Sequence, residues 1–302
     1  MRLCLNDSLI RLPYDENTEE RVKIVHDIGF RVAGIGIDPD ATNDDIRRMK
    51  DVFAKYDMAF GPASGWTYFV PDHSKRAERV DRMKKYLEVA GKLGCPTFRC
   101  AGGSMSPDNV WMHHPENHTQ KAFDLFVDST RELLPYAEAA KVAICPETTQ
   151  WTIIDGPKRM RQFVDRGESD YVKVIFDFVN QTRPEHIYNT GEYALKTVGE
   201  LGDRIGVFHV KDVTIQDSNL VVHIDETPVG TGVLDHEAVI KASTLLEPWK
   251  TFSMEHFNQK DVPKEVQWKR GFDYIQGVVK KMGHVWTGQH LTREKWAQGL
   301  KR

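Results

Sequence analysis

The sequence predicts a single (β/α)8 TIM barrel of the α/β class with a short C-terminal extension. Short apolar runs alternate with longer amphipathic stretches eight times along the 302 residues. Such alternation implies parallel strands joined by right-handed helical crossovers, and eight units in about 280 residues match a closed barrel in length. The alternative, an open doubly wound sheet, usually has a glycine-rich loop after its first strand, where this chain reads LNDSLIRLP.

The barrel is assigned to residues 1–282 and the extension to 283–302, because no stretch rich in proline, glycine and serine divides the chain. The predicted strands are the apolar runs 3–5, 31–37, 58–64, 97–101, 142–147, 172–177, 205–210 and 251–255. Helical spacing of apolar residues predicts helices near 16–28, 43–56, 75–93, 119–140, 156–164, 191–201, 236–246 and 262–279. Asn43, which precedes two aspartates, is expected to cap the second helix. Residues 211–235 are predicted to form a polar loop.

Composition limits the classes of partner. Hydrophobic residues make up 40% and charged residues 28% of the chain, which is ordinary for a globular protein. The net charge of −3 provides no positive field for nucleic acid or an anionic membrane. No leader-like segment and no run of about 18 apolar residues is visible, and the four cysteines form no CxxC pair. We therefore expect a cytoplasmic protein with buried thiols and neither a nucleic acid nor a membrane partner.

Four consecutive predicted strands end on residues that can bind a metal ion. The strands from the fifth to the eighth finish at Glu147, Asp177, His209 and Glu255, and a barrel builds its active site at these ends. Three carboxylates brought together would repel one another, and a divalent cation relieves that repulsion. Three oxygen donors and one imidazole suit manganese, magnesium, cobalt or zinc. The sequence therefore predicts one divalent ion held by these four residues, with manganese as the first expectation.

Further residues near the strand ends are candidates for binding substrate. Arg99 ends the fourth strand and either points into the pocket or forms a surface ion pair. Lys211 shares the face of His209 and could stabilise an oxyanion, unless it is simply solvated. Asp212 could bind substrate or orient a neighbour. Trp66 and Trp111 lie in loops at the catalytic end, where they could stack on the sugar or belong to the core.

The fragments around these residues resemble the xylose-isomerase-like superfamily of sugar isomerases and epimerases. They are CPETT, FDFVN, FHVKDV, VGTGVLDH and SMEHF, in this order along the barrel. The superfamily also includes inosose dehydratases and an AP endonuclease branch. The resemblance implies that Glu147, Asp177, His209 and Glu255 ligate one divalent metal, and that Glu147 and Glu255 also act as an acid/base pair on the substrate.

The sequence departs from the ketose 3-epimerases of this superfamily at two positions. Asn180 replaces a histidine, and Lys211 and Asp212 stand where an arginine is usual; those positions grip sugar hydroxyls, so Asn180 is a further candidate for substrate binding. We expect an isomerase or epimerase of a sugar, keto-sugar or polyol that removes a proton next to a carbonyl through a metal-stabilised enediolate.

Three other functions remain open. The nearest is a lyase or dehydratase that acts on a keto-sugar, an inosose or a 3-keto-glycoside with the same metal site. More distant are an AP-endonuclease-like phosphodiesterase and a non-catalytic binding role. The expected partner is a small-molecule carbohydrate. Analogy with the superfamily also predicts a homo-oligomer, to which the tail tryptophans Trp286 and Trp296 could contribute.

Overall fold

The computed structural model describes residues 2–6, 9–65, 76–216, 218, 220–244, 250–256 and 259–283. Within these ranges the strands are β1 (Arg2–Leu5), β2 (Val32–Gly36), β3 (Ala59–Ser64), β4 (Thr97–Ala101), β5 (Ala143–Glu147), β6 (Val174–Asp177), β7 (Ile205–Val210), β8 (Asp212–Gln216), β9 (His223–Thr227) and β10 (Thr251–Met254). The helices are α1 (Thr18–Ile28), α2 (Asn43–Lys55), α3 (Arg76–Leu93), α4 (Gln120–Ala140), α5 (Pro157–Gly167), α6 (Phe178–Gln181), α7 (Thr190–Leu201), α8 (His236–Thr244) and α9 (Lys264–Lys281).

The predicted barrel is confirmed. Eight parallel strands close in the order β1-β10-β7-β6-β5-β4-β3-β2. Closure joins the first strand to the last, with Cys4 beside Ser253 and Leu5 beside Met254. The carboxyl ends of all eight strands therefore meet at one mouth of the barrel.

The core has two layers. Large aromatic side chains fill the space between strands and helices, among them Phe98, Phe176, Phe208 and Phe252. Inside the barrel the side chains are smaller, and Ala143, Cys145, Ile175 and Val207 form a separate buried cluster. All four cysteines are buried and unpaired, and burial raises the pKa of Cys145 to about 12. The inner cluster forms a closed, apolar floor below the polar ends of β5, β6 and β7.

Two local predictions were wrong. Thr42, not Asn43, caps α2: its hydroxyl accepts a hydrogen bond from Asp45 N–H while the Asp45 carboxylate binds the Thr42 N–H, a complete capping box. Residues 212–216 and 223–227, which lie in the predicted polar loop, form an antiparallel hairpin. Most side chains of this hairpin are not buried. Its sequence therefore lacks the alternation of apolar and polar residues by which a strand is predicted.

None of the helices in the described part of the chain has the length and apolar composition that crossing a membrane requires. The C-terminal extension, with Trp286 and Trp296, lies outside the described residues from position 284 onward.

Candidate metal centre

The four residues at the strand ends converge at the barrel mouth. Glu147, Asp177, His209 and Glu255 are all buried, and one ligand atom of each lies within 4.8 Å of those of the other three. Asp177 and His209 are register partners on adjacent strands, and Ser253 of β10 lies beside His209. Among the described residues this is the one group of at least three histidine, cysteine or acidic side chains placed to hold a metal ion.

His209 is directed at all three carboxylates. Its Nδ1 lies 2.8 Å from Glu255 Oε1, 3.1 Å from Asp177 Oδ2 and 3.4 Å from Glu147 Oε1. The ring is fully buried, so no water competes for this nitrogen from outside the cluster. One imidazole nitrogen is thus within 3.4 Å of carboxylate oxygens from three different residues.

Two cationic side chains enter the same cluster. Lys211 Nζ lies 2.7 Å from Asp177 Oδ2 and 2.9 Å from Glu255 Oε1, and its side chain is fully buried. Arg99 lies 2.9 Å from Glu147 Oε2 and 3.5 Å from Glu255 Oε2, and it keeps 24% of its side-chain surface exposed. Arg99 is therefore the more exposed of the two cations, because the Lys211 side chain is fully buried.

Two amides complete the cluster. Asn180 donates to Glu147 Oε1 at 3.0 Å and accepts from Lys211 Nζ at 3.2 Å. Asn6 donates to Glu255 Oε2 at 3.0 Å. Sequence reasoning missed Asn6, although it directly follows β1 and its neighbour Leu5 pairs with Met254. Inspecting the end of the first strand in the same way as the last four would have found it.

The charges of the cluster stabilise one another. Burial alone would raise the pKa of Glu255, but His209 and Lys211 outweigh it and hold this pKa well below its usual range. Burial likewise opposes the charge of Asp177, and Lys211 and His209 again lower its pKa. Conversely, Glu255 and Glu147 overcome burial and raise the pKa of His209 well above its usual value. The site therefore stabilises the ionised forms of Asp177 and Glu255.

The donor set fits a divalent cation. Glu255 Oε1 is buried and makes no hydrogen bond of acceptable geometry, although His209 and Lys211 lie within ion-pair distance of it. Such a buried oxygen is costly unless a cation satisfies it. Three carboxylates with one imidazole are ligands that manganese, magnesium, cobalt and zinc all accept. Arg99 and Lys211 offset two of the three negative charges, so they are also potential competitors of a metal ion.

Asp212 does not join this cluster. Its carboxylate accepts hydrogen bonds from the N–H groups of Val213, Gly230, Gly232 and Leu234, at 2.9–3.1 Å. His236 Nε2 lies 3.3 Å from the same group, and only 1% of Asp212 is exposed. The expected role in substrate binding has no support from this placement, because the backbone occupies the carboxylate. Asp212 instead ties the hairpin loop to the barrel.

His256 lies beside the cluster, because the strand ends before it. β10 ends at Met254, and His256 adopts a left-handed backbone with φ of 60°. This turn brings its Nε2 to 3.7 Å from Glu255 Oε1, while Nδ1 lies 2.8 Å from Glu226 Oε2 on β9. Glu226 could not be anticipated either, since the hairpin that carries it was not predicted.

Of the two tryptophans predicted to bind substrate, the structure describes only Trp111. Trp111 packs against Ala101 and Val110, and Ala101 is the register partner of Glu147, so this tryptophan borders the barrel mouth. Trp151, which sequence reasoning missed, donates from Nε1 to the Trp111 carbonyl at 2.8 Å and is 47% exposed. Trp66 lies outside the described residues.

The family follows from the sequence match together with this arrangement. The family described as xylose isomerase-like TIM barrel matches residues 22–278. The chain belongs to the xylose isomerase-like TIM barrel family. No curated protein sequence matches it, so the remaining comparisons are with solved structures.

Solved members with this fold superpose on almost the whole chain. A xylose isomerase-like TIM barrel protein from Mycobacterium smegmatis in complex with magnesium is 16% identical, with a TM-score of 0.71 over 93% of this chain and 97% of that one. A D-psicose 3-epimerase from Clostridium cellulolyticum H10 with D-tagatose is 15% identical, with a TM-score of 0.71 over 92% and 99%. The probable 3-DHS dehydratase AsbF from Bacillus anthracis is 13% identical, with a TM-score of 0.67 over 91% and 99%. At this identity the likeness establishes the fold.

In this family member the two glutamates approach the centre from separate directions. β5 and β10 are not neighbours, because β6 and β7 stand between them in the barrel. Arg99 nevertheless contacts both Glu147 and Glu255, so one guanidinium bridges carboxylates that come from two non-adjacent strands.

Proposed function

We propose that the protein is a divalent-metal-dependent isomerase or epimerase of a sugar, keto-sugar or related polyol. The observation that supports the proposal is that Glu147 and Glu255, which come from non-adjacent strands, meet in one buried cluster of residues able to bind a metal ion. Glu147, Asp177, His209 and Glu255 would hold the ion. A bound divalent ion polarises neighbouring oxygens and stabilises the negative charge that builds up on them.

The chain's own residues account for the proton transfers. A carbon next to a carbonyl loses its proton to a carboxylate on one face, and a carboxylate on the other face can return a proton. We assign these two roles to Glu147 and Glu255. Arg99 is partly exposed beside both, so we assign it to a substrate oxygen whose negative charge grows during proton removal. Asn180 and Lys211 hold the carboxylates through the contacts that they already make.

The aromatic rim is assigned to the carbohydrate itself. Trp111 borders the mouth beside Ala101, where its ring face can cover the C–H groups of a sugar. Asp212 is left out of the proposed substrate contacts, because its carboxylate is saturated by backbone N–H groups. Manganese and magnesium are the ions that we would supply first, since the set is dominated by oxygen donors.

A lyase or dehydratase is the second candidate, and His256 favours it. Its ring lies beside Glu255 on the cavity side and is paired with Glu226. Although burial opposes it, the bond to Glu226 raises the pKa of His256, so this imidazole can deliver a proton to a departing hydroxyl. Elimination and epimerisation share the first proton removal and differ only in whether a neighbouring group then leaves.

Solvent-exchange experiments test both candidates. The metal-loaded protein is incubated in D2O with ketoses, keto-sugars and inososes, and products are followed by NMR and mass spectrometry. We expect deuterium at the carbon next to the carbonyl of one compound, with an otherwise unchanged molecular formula for an isomerase or epimerase and loss of water for a dehydratase. Glu147→Gln should lower the exchange rate by a factor of about 10² or more, while Glu265→Gln on the exposed start of α9 should not. Absence of exchange across the panel would contradict the proposal.

A further inference from the structure

A cavity of about 150 Å³ opens beside the metal-type cluster. Its inner end is formed by Lys211 and Glu255, and its outer walls by the hairpin strand β9, the turn after β10 and α9. A space of this size holds several water molecules. It is continuous with the centre on one side and reaches solvent on the other, so it can receive the remote part of a molecule bound at Glu255.

The outer wall is built on buried hydrogen bonds. Gln267 of α9 is buried and accepts from the Gln259 N–H at 3.1 Å. The same side chain donates to the Gln259 carbonyl at 3.1 Å and to the Val262 carbonyl at 2.7 Å. These bonds tie the segment after β10 to α9, and a ligand would not have to order this wall on binding.

Most of the charges that line the cavity are already paired. Glu255 and Lys211 contact each other within the cluster, and His256 is paired with Glu226 at 2.8 Å. Arg270 is the exception: it lines the cavity and makes no hydrogen bond or ion pair with any described residue. Its neighbour Lys269 points elsewhere and pairs with Asp273 at 2.5 Å.

An unpaired arginine at the end of such a cavity is suited to an anion. Its planar guanidinium presents parallel N–H groups that match a carboxylate or a phosphate. Loops after the seventh and eighth barrel strands frequently provide anion sites in this architecture. Here the loop after β7 supplies Glu226, the turn after β10 supplies its partner His256, and the following helix α9 supplies Arg270.

We propose that this cavity is a subsite for an anionic group, a carboxylate or a phosphate ester, on the end of the substrate remote from the reacting carbons. The proposal rests on the proposed function, because it places those carbons between Glu147 and Glu255. The preferred substrate class is then a sugar acid or a sugar phosphate, and neutral sugars bind more weakly. Arg270 makes the direct contact, and the pair of His256 and Glu226 forms the polar side wall.

Equilibrium binding tests the subsite without turnover. D-gluconate, D-glucitol 6-phosphate and neutral D-glucitol are titrated calorimetrically into the protein with magnesium present. Wild type should bind one of the two anions at least tenfold more tightly than D-glucitol. Arg270→Gln should remove that advantage, Arg270→Lys should keep part of it, and the matched control Lys269→Gln should keep all of it. Preference for the ester identifies a phosphate site, and preference for D-gluconate identifies a carboxylate site.

Two results would overturn the subsite. One is that neither anion binds better than D-glucitol, and the other is that Arg270→Gln retains the preference. Because Arg270 is exposed, its variants should unfold at the wild-type temperature, which thermal unfolding verifies. The two proposals can fail separately. Solvent exchange on a neutral ketose without any preference for anions would contradict only the subsite proposal. Anion binding that depends on Arg270, without solvent exchange on any compound, would contradict only the proposed isomerase activity.

Discussion

At the scale of single residues, Lys211 is a fully buried cation that pairs with two carboxylates of the cluster. Its ammonium group lies within 2.9 Å of both Asp177 and Glu255 and has no exposed surface. Burial opposes its charge, yet Asp177 and Glu255 outweigh burial and raise its pKa. A divalent ion bound by the same carboxylates would share this role, so Lys211 and the ion should substitute for one another in stabilising the fold.

The variant Lys211→Met tests whether a metal ion can replace Lys211 in stabilising the fold. Removing one partner of a buried ion pair leaves uncompensated charge and costs about 3–5 kcal/mol, so the metal-free variant should lose roughly that much unfolding free energy. Saturating manganese should recover most of the loss, because it neutralises the same oxygens. The measurement is urea unfolding with and without manganese, beside Lys23→Met, whose exposed pair with Asp27 contributes little. An equal loss in both conditions would contradict the account.

Asp212 supports the hairpin, and its substitution should affect stability rather than metal content. Gly232 approaches it so closely that an added Cβ would lie 2.2 Å from Asp212 Oδ1. We expect Asp212→Asn to cost about 1.5–3 kcal/mol, because several hydrogen bonds to a charged acceptor weaken at once. Metal stoichiometry should be unchanged. Urea unfolding and elemental analysis measure the two effects, with Asp225→Asn on the exposed face of the same hairpin as control.

The cost of Asp212→Asn should also depend on pH. Burial opposes ionisation, but the bonds from His236, Leu234 and Gly232 outweigh it and lower the pKa of Asp212. A lowered pKa in the folded state gives stability that is present above the unfolded value of about 3.9 and is lost as the pH falls. The difference in unfolding free energy between wild type and Asp212→Asn should therefore become smaller below about pH 4. If this difference in unfolding free energy stays constant down to pH 3, the charge of Asp212 is not what stabilises the folded protein.

Residues at the strand ends were predictable, and residues that depend on a turn were not. Glu147, Asp177 and His209 follow from one rule, since they end strands whose carboxyl ends must meet. The position of His256 does not follow from strand alternation, because β10 ends at Met254 and the left-handed backbone of His256 redirects its ring. The contacts of Asp212 escaped because they depend on the course of the loop from Gly230 to Leu234, which no spacing in the sequence specifies.

At the scale of elements, Asp177 serves a strand and a helix together. It ends β6, and its Oδ1 accepts the N–H of Asn180 at 2.8 Å, which caps the short helix α6. Its other oxygen, Oδ2, faces His209 and Lys211. One carboxylate therefore fixes the position of Asn180 while it contributes to the cluster.

Two substitutions of Asp177 separate these roles. Asparagine caps a helix about as well as aspartate, whereas alanine does not. Both variants should lose bound metal, but Asp177→Ala should unfold with about 1 kcal/mol less free energy than Asp177→Asn. Urea unfolding of the metal-free proteins and elemental analysis give the two readouts. Equal stability of the two variants would show that the cap does not contribute, and retained metal would exclude Asp177 as a ligand.

The regular elements could be predicted from the sequence and the hairpin could not. Apolar runs such as 205–210 are buried on both faces and therefore stand out as strands. The strand His223–Thr227 has no buried residue, so hydrophobic periodicity gives no sign of it. Yet it forms one wall of the cavity beside Glu255, so hydrophobic periodicity alone does not reveal all the elements that surround the site.

At the scale of the whole molecule, the barrel converts four distant sequence positions into one site. Its apolar floor of Ala143, Cys145, Ile175 and Val207 closes the interior below the cluster, so a substrate can enter only from the mouth. The predicted homo-oligomer and the cytoplasmic location stay predictions, and light scattering of the purified protein would test the first. The extension from residue 284 lies outside the described ranges.

Metal content tests the central claim most directly. Wild type, Glu255→Gln and the control Glu265→Gln are purified, stripped, reconstituted with manganese or magnesium, desalted and analysed for metal by mass spectrometry. The account predicts one equivalent in wild type and in the control, and almost none in Glu255→Gln, because Glu255 supplies a buried oxygen that no hydrogen bond satisfies. Wild-type protein that retains no metal after reconstitution, or Glu255→Gln that retains as much as wild type, would contradict it.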